Sequence, residues 1–292
     1  MKFLKNKKII LAVSGGPDSM FLLNKYKKYN ITVAFINYNQ RENSYIDEQI
    51  VSVFCSQHNI NLLKLCVNKN DYQGGNFQNW AREIRYKFFK EIYIKEKADY
   101  LFTAHHLDDF LETAIMQKES HRFTFFYGIK KNSYLNGMKI YRPFVNRYFK
   151  KTILKKCEKK NIPFAVDYTN EIPKYTRNKI RLTNQNKSFF SKYLMYLWFK
   201  NKNLSLKNIE NSVNLEYKIW KEKDFSQDLF ELLKYKNELI FKLINNQFEN
   251  IELSTKKINS IVQFVLSPNR TSKYLLKKDV YLIKNKGQIL FK

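Results

Sequence analysis

Apolar and polar positions in the first part of the chain follow two alternating patterns. Short apolar runs with little polar alternation are typical of strands that are buried on both faces of a parallel sheet. Each run is followed by a stretch with apolar residues three or four positions apart, which predicts a helix. The predicted strands span residues 9–13, 31–39, 61–67 and 99–104, and the predicted helices begin at Met20 or span residues 44–58, 77–95 and 105–113.

This fourfold alternation predicts a doubly wound α/β fold with a parallel sheet, in which ligands bind at the carboxyl ends of the strands. The pattern weakens over residues 120–141. Later elements are predicted helices over 146–160 and 229–244 and short strands over 280–283 and 289–291. We expect one domain over residues 1–190 and a smaller, mainly helical C-terminal domain over 191–292, with the boundary between residues 186 and 210.

The first predicted strand leads into a glycine-containing turn, Ser14-Gly15-Gly16-Pro17-Asp18-Ser19. Glycine allows a sharp turn and a close approach to a ligand, and the start of the following helix attracts anions such as a phosphate chain. Walker and Rossmann loops do not fit, because no lysine follows Gly16 at the required place and the glycines are adjacent. The turn resembles the PP-loop of ATP pyrophosphatases, which holds the pyrophosphate part of ATP. The alternative interpretation is a tight strand-to-helix turn that binds no ligand.

A second polar group follows the fourth predicted strand. His105, Asp108 and Glu112 are spaced to share one helix face, and His106 shares another face with Asp109. The carboxylates suit Mg²⁺, or a cationic amine that later gives up a proton. A structural role stays open, since acidic residues also favour the dipole at a helix start. Zinc fits less well, because the spacing is not His-Glu-x-x-His and no thiolate is near.

The composition favours a folded chain with a polyanionic partner. Hydrophobic residues make up 44% of the 292 residues, and the formal net charge is +27. Part of the lysine excess accompanies a bias towards Asn, Ile, Phe and Tyr that is typical of AT-rich genomes, so arginine is the cleaner signal. Seven of the nine arginines lie between residues 82 and 181. We therefore expect RNA as a partner, with a solvated lysine-rich surface as the alternative.

The three cysteines, Cys55, Cys66 and Cys157, form no C-x-x-C pair. This pattern indicates a protein of a reducing compartment that has neither disulfides nor a thiolate metal site. The chain also lacks an apolar run of about 18 residues that would span a membrane. We expect a cytoplasmic protein without a membrane partner. A homodimer is compatible with the sequence.

Four segments together resemble the tRNA(Ile)-lysidine synthetase family of PP-loop enzymes. They are Ser14-Gly15-Gly16-Pro17-Asp18-Ser19; Gly75-Asn76 with Ala81-Arg82, Arg85-Tyr86 and Phe88-Phe89; Thr103-Ala104-His105-His106-Leu107-Asp108-Asp109 with Glu112-Thr113; and Asp167, Thr169-Asn170 with Arg177-Asn178 and Ile180-Arg181. Many PP-loop enzymes share the first segment, whereas the third and fourth are more discriminating.

The resemblance implies an ATP-dependent ligase. In this family, the C2 oxygen of the wobble cytidine in a tRNA(Ile) with a CAU anticodon is adenylated, and the amino group of free L-lysine then attacks C2 and releases AMP. The implied ATP-binding residues are Ser14, Gly15, Gly16, Pro17, Asp18 and Ser19, with Asp18 near the phosphates and Mg²⁺. The implied lysine contacts are Asp109 and Glu112, and Arg177 or Arg181 helps to bind lysine or phosphates. His105 and Asp108 complete the implied catalytic group.

The chain departs from the family pattern at three positions. Phe35 and Tyr38 replace two histidines that usually follow the second strand, and Gln78 replaces a glutamate. A tRNA thiolase would need a cysteine persulfide or a cluster, and the three cysteines fall outside the motifs. An ammonia-using synthetase of this fold needs no basic surface. A non-catalytic nucleotide- or RNA-binding protein would not need the pair Asp109 and Glu112. We expect the aromatic, basic C-terminal part to bind tRNA.

Overall fold

The computed structural model describes residues 4–39, 43–121, 123–165, 180, 182–184, 186–248, 251 and 253–291. Internal contacts divide the chain into two compact units. The first consists of Met1–Glu112 and Ile129–Ser188, and the second consists of Thr113–Gly128 and Phe189–Lys292. Residues 113–128 therefore group with the second unit, an assignment that the linear division at residue 190 did not include. The domain assignments by function stay predictions.

The first unit is built on a six-stranded sheet with helices on its faces. Its elements are β1 (Ile9–Val13), α1 (Pro17–Tyr26), β2 (Ile31–Asn37), α2 (Ser44–Gln57), β3 (Asn61–Cys66), a 3₁₀ turn (Lys69–Asp71), α3 (Phe77–Lys95), β4 (Tyr100–Phe102), α4 (Leu107–Glu119, shared with the second unit), β5 (Asn132–Leu135), β6 (Met138–Tyr141) and α5 (Lys150–Lys159). The strand order is β3-β2-β1-β4-β6-β5, and only β5 is antiparallel. The doubly wound α/β prediction is confirmed.

Strand β1 lies at the point where the sheet reverses its winding. It pairs in parallel with β2 on one side and with β4 on the other. Its residues Ile9, Ile10 and Leu11 are fully buried because helices cover both faces, which explains the uninterrupted apolar run. The carboxyl ends of β1 and β4 consequently diverge into loops on opposite faces and leave a crevice between them, where doubly wound proteins bind ligands.

Helix α1 begins at Pro17 rather than at Met20, and α5 begins at Lys150 rather than at residue 146. Two further elements of this unit differ more from the sequence expectations. The helix expected from His105 begins at Leu107, so His105 and His106 precede it and do not share its faces. The weak stretch over 120–141 contains the hairpin of β5 and β6, which was not predicted. The sequence feature that indicates this hairpin is the Asn136-Gly137 pair. Its φ values of 51° and 82° suit the tight turn of a two-stranded hairpin.

The second unit combines helices with a small antiparallel sheet. Its elements after Ser188 are α6 (Phe189–Glu222), α7 (Gln227–Leu232), α8 (Lys236–Gln247), α9 (Thr255–Leu266), β7 (Ser272–Lys277), β8 (Val280–Asn285) and β9 (Gln288–Phe291). The long helix α6 covers most of the interval 186–210 in which the boundary was expected. Among the described residues, no helix combines the length and the apolar character that a membrane span requires.

Candidate active site

A cavity of about 730 Å³ opens at the carboxyl ends of β1, β2 and β4. It gathers residues from the glycine loop, from the segment after β4 and from the first turns of α3. The predicted site residues on its wall are Ser14, Gly16, Asp18, Ser19, His105, Asp109 and Glu112. Gly15, Pro17 and Asp108 do not line it. Two segments that are about 90 positions apart in sequence thus meet in one place.

The glycine loop is held closed by its own serines. Ser19 Oγ donates to the Gly16 carbonyl at 2.9 Å and accepts from the Ser14 backbone N–H at 3.1 Å. Gly16 is the residue before α1, and Pro17 occupies the first helical position, where a missing N–H costs nothing. The start of α1 has no side-chain cap from Gly16, so its free N–H groups are available to an anion.

Gly15→Ala is expected to destabilise the protein, whereas Gly16→Ala is not. Gly15 has a φ of +85°, which costs an L-residue about 1–2 kcal/mol, and a Cβ would lie 2.9 Å from Asp47 Cβ. Overpacking of this kind adds about 1–3 kcal/mol. Gly16 has a φ of −72°, and a Cβ there would approach only Ser14 Oγ, at 3.8 Å. Thermal unfolding of both variants measures the difference, and equal melting temperatures would contradict it.

His106 is a buried imidazole between three carboxylates. Its Nε2 lies 3.6 Å from Asp18 Oδ2, and its Nδ1 lies 3.5 Å from Asp109 Oδ2 and 3.7 Å from Asp108 Oδ2. Burial disfavours the charged ring, but Asp109, Asp18 and Asp108 outweigh burial and raise the pKa of His106 to about 9. The protonated ring therefore offsets part of the negative charge beside the cavity. The sequence motif contained His106, but only the fold shows that it joins the glycine loop to the acidic stretch.

Asp109, Glu112 and His105 face the cavity in different settings. Asp109 Oδ2 accepts the His106 backbone N–H at 2.8 Å, so this carboxylate also caps α4. Glu112 lies one turn further along α4 and is only 5% exposed. His105 Nδ1 lies 2.8 Å from Thr103 Oγ1, which orients the ring. The part of the wall with Asp109 and Glu112, which we call the acidic end, thus suits a cation, and the part with the glycine loop, which we call the glycine-loop end, suits an anion.

Comparison with known proteins agrees with this geometry. Residues 1–186 match the family model of the PP-loop domain. The tRNA(Ile)-lysidine synthase of Mesomycoplasma hyopneumoniae (strain 232) is 37% identical over 290 residues, which cover 99% of this chain and 97% of that protein. The enzyme of the same name from Mycoplasmopsis pulmonis (strain UAB CTIP) is 41% identical over 284 residues, covering 95% and 96%. The chain belongs to the tRNA(Ile)-lysidine synthase family.

A solved structure outside this family shares the fold. The U34-tRNA thiolase NcsA from Methanococcus maripaludis, with its 4Fe-4S cluster, superposes with a TM-score of 0.54 over 70% of this chain and 74% of that chain. At 19% sequence identity, this likeness shows a common architecture and nothing about chemistry.

The positions that depart from the family pattern have two different settings. Phe35 is 2% exposed and belongs to the core of the first unit. Tyr38 lines the cavity, and its hydroxyl donates to the Ala81 carbonyl at 2.8 Å. Gln78 also lines the cavity. Arg177 and Arg181, which the resemblance places at the substrate, lie outside the described residues, and their roles stay predictions.

Asp108 is placed to support α5 rather than to reach the cavity. Its Oδ2 accepts the Lys150 backbone N–H, the first of α5, at 2.8 Å. We expect Asp108→Ala to lower the free energy of unfolding by about 0.5–2 kcal/mol, as for loss of a helix cap. Asp108→Asn keeps an acceptor for Lys150, so in chemical denaturation it should lose less stability than Asp108→Ala, namely the attraction to His106 alone. The catalytic role of Asp108 stays a prediction, and loss of turnover in a stable Asp108→Asn variant would favour it.

The residues present fit Mg²⁺ that is bound together with a phosphate ligand. Among the described residues, no group of three or more His, Cys, Asp and Glu side chains is arranged to hold a metal ion on its own. Mg²⁺ needs only one or two carboxylates when phosphates supply other oxygens. Asp18 lines the cavity, and its buried Oδ1 has no hydrogen-bond partner among the described residues. This carboxylate is suited to such a shared ion.

Proposed function

We propose that this chain joins lysine to the wobble cytidine of a tRNA(Ile) with a CAU anticodon, using ATP. The single observation that carries the proposal is the shared cavity, where the phosphate-binding loop and the acidic stretch meet in a member of the tRNA(Ile)-lysidine synthase family. The reaction is the ligation of a carbon–nitrogen bond, and its product is lysidine. We place it in the cytoplasm, where tRNA, ATP and free lysine are together available.

The first step is adenylation of the RNA at the glycine-loop end of the cavity. The cytidine C2 oxygen attacks the α-phosphorus of ATP, and pyrophosphate leaves. The loop N–H groups between Ser14 and Ser19 and the start of α1 bind the phosphates, so that the reacting atoms are held in place before reaction. Asp18 is the residue that would hold Mg²⁺, which when bound neutralises charge on the phosphates.

The second step uses the acidic end of the cavity. Asp109 and Glu112 pair with an ammonium group of lysine and so orient it towards C2. The attacking amine is neutral, so its proton must pass to a base, and either carboxylate is a candidate acceptor. Attack at C2 breaks the bond from C2 to the adenylate oxygen and releases AMP. Because the adenylated oxygen leaves readily, the protein mainly positions the two reactants.

The cysteines do not support the thiolase alternative. Cys55 and Cys157 are buried, and burial raises the pKa of each thiol to about 11. Cys66 is exposed, but it does not line the cavity, and neither do the other two. A persulfide carrier needs a reactive thiolate close to the adenylated base, and a thiol with a raised pKa is poorly suited to that role.

Incorporation of labelled lysine into an unmodified tRNA(Ile) transcript tests the function. The reaction contains ATP and Mg²⁺, and matched reactions omit ATP or replace the CAU anticodon. We expect label only with ATP and only with the CAU transcript. Absence of label, with ATP still converted to AMP in the presence of tRNA, would indicate a different nucleophile, and sulfur would be tried next. Binding of ATP and tRNA with neither label nor conversion of ATP to AMP would indicate a non-catalytic nucleotide- or RNA-binding protein.

The second unit offers a surface for the rest of the tRNA. Trp198 of α6 is 44% exposed, and the ammonium groups of Lys118 and Lys202 lie 4.7 Å and 5.6 Å from its ring centroid. An exposed ring with two cations close to it suits a base and its phosphates. Replacing both lysines by alanine should weaken tRNA binding and reduce its salt dependence by about one unit of slope for each phosphate that the variant no longer binds. Titrations at several salt concentrations measure this slope, and an unchanged slope would contradict the proposal.

A further inference from the structure

Four aromatic rings cluster beside the part of the cavity that exposed residues of α3 line, and we call this part the mouth. They belong to Tyr38 at the end of β2, Tyr72 in the loop before α3, and Phe77 and Trp80 in the first turn of α3. We call them the aromatic wall. Neighbouring ring centroids lie 5.2 to 6.4 Å apart, in tilted or edge-to-face arrangements. Tyr38 and Phe77 line the cavity, while Tyr72 and Trp80 pack against them and do not line it.

The rings are held in place by hydrogen bonds at their edges. The Tyr38 hydroxyl donates to the Ala81 carbonyl at 2.8 Å, and the Tyr72 hydroxyl donates to the Gly75 carbonyl at 2.6 Å. Asn76 caps α3 through its Oδ1, which accepts the backbone N–H groups of the second and third helical residues at 3.0 Å and 3.2 Å. These contacts fix the start of α3 and so the direction of Phe77. A flat ligand would therefore meet a wall that is already formed.

The aromatic wall is neither a core nor an isolated surface patch. All four rings are half-buried, whereas the aromatic residues of the sheet core, such as Phe35 and Phe102, are fully buried. Two exposed arginines of α3, Arg82 and Arg85, line the cavity beside the wall. An aromatic face next to guanidinium groups at a cavity mouth suits a single-stranded nucleotide, whose base stacks while its phosphates stay outside.

ATP has a separate place in the same cavity. Its phosphates belong at the glycine loop, directly after β1. The small or aliphatic side chains of Ala12, Ala34 and Ile36, on β1 and β2, line the cavity next to that loop and leave room for a purine. RNA, in contrast, is too large to enter a cavity of about 730 Å³ as a whole, so its target nucleotide must be inserted through the mouth. The mouth is where the wall and the two arginines lie.

We propose that the aromatic wall receives the target cytosine, with Phe77 supplying the face on which the extruded base stacks and Tyr38, whose ring is inclined at 75° to it, contacting the edge of the base. This inference rests on the proposed function and adds the residues that position the RNA base in it. Removing a base from its stack in the anticodon loop is costly, and stacking on the wall offsets part of that cost. Tyr38, which stands where the family usually has histidine, then acts as a positioning residue for the RNA.

Phe77→Leu is the variant that tests the wall, because leucine keeps an apolar side chain but removes the ring. We expect the KM for tRNA to rise about 5- to 150-fold, the range for loss of one stacked base. Phe77→Tyr keeps the ring and should behave like the wild type. Tyr134→Leu is the matched control, because it removes an aromatic ring that is 72% exposed on β5 and does not line the cavity. Equilibrium binding of ATP without RNA should be unchanged in all three variants.

A binding readout separates this inference from the proposed function. An anticodon stem-loop RNA with a fluorescent cytidine analogue at the wobble position should be quenched by the wild type and by Phe77→Tyr, and far less by Phe77→Leu. The same analogue placed in the stem is the control. The quenching does not depend on lysine incorporation, so it can be measured even if the ligase reaction fails.

Three results would overturn the inference. Absence of quenching by the wild-type protein would show that the base does not reach the wall. Loss of ATP affinity in Phe77→Leu without RNA would assign the ring to adenine. Unchanged KM for tRNA and unchanged quenching in a folded Phe77→Leu variant would reduce the wall to packing. If Phe77→Leu fails to fold, Tyr38→Leu is measured in the same assays, with Tyr38→Phe as its ring-retaining control.

Discussion

Asp18→Asn is expected to slow adenylation of the RNA by about 10²–10³-fold, the loss typical of removing one preorganised electrostatic group from an active site. The Asp18 side chain lies in the first turn of α1 on the cavity wall, and its Oδ1 is buried without a hydrogen-bond partner among the described residues. An amide has the same shape but no charge, so it binds Mg²⁺ poorly. Pyrophosphate release in a single turnover, without lysine, measures this step alone.

The same variant needs a stability measurement. Asp18 Oδ2 lies 3.6 Å from His106 Nε2, so the substitution also weakens an ion pair that helps to hold the loop against the segment after β4. Thermal unfolding separates that effect from the loss of phosphate handling. Glu91→Gln, which removes an exposed carboxylate from α3, is the control and should release pyrophosphate at the wild-type rate. A wild-type rate for Asp18→Asn would count against a role of Asp18 in binding the phosphates and metal.

Glu112→Gln is expected to lower lysine transfer about 30- to 4,000-fold, the cost of removing one partner from a buried charge pair. Glu112 is 5% exposed and lines the acidic end of the cavity, where solvent screening is weak. In the proposed mechanism, adenylation uses the glycine loop and precedes the reaction of lysine, so pyrophosphate release should stay close to the wild-type rate. The two half-reactions are therefore measured separately, one by labelled lysine and the other by pyrophosphate.

Asp109→Asn provides the second half of this test. Asparagine can still accept the His106 backbone N–H, so the cap of α4 is retained while the charge is removed. We expect a lowered melting temperature, because the buried His106 loses a charge partner as it does in Asp18→Asn, together with retained ATP binding and strongly reduced lysine transfer. Equal loss of both half-reactions in Glu112→Gln and Asp109→Asn would contradict a role specific to lysine. Full turnover in both variants would favour a purely structural role for the two carboxylates.

Local sequence patterns predicted an element correctly where all the residues that define it lie close together in the sequence. The helix Phe77–Lys95 has the predicted bounds, because its apolar spacing, its Asn76 cap and the preceding Gly74-Gly75 turn are all nearby in sequence. The buried run of β1 and the glycines after it likewise predicted a strand and an anion-binding turn. The hairpin of β5 and β6 was missed because its strands are only four residues long, too short for a clear period.

The site depends on contacts that no local pattern contains. His106 touches Asp18 only because β4 pairs beside β1, and that pairing joins residues about 90 positions apart. Asp108 belongs to the predicted acidic group by spacing, yet its carboxylate binds the start of α5, 42 positions away. The grouping of residues 113–128 with the second unit is of the same kind, since Phe123 and Phe125 pack on Phe241.

By itself, the sequence determined the α/β class, the phosphate-binding turn and the acidic residues that accompany it, because strand burial, turn geometry and motif spacing are local properties. Only the tertiary structure decided which of these side chains share a cavity. It separated Asp109 and Glu112, which face that cavity, from Asp108, which does not, and it brought the half-buried rings of the aromatic wall together at the mouth. Such juxtapositions follow from sheet order and helix packing, where each position depends on partners far away in the chain.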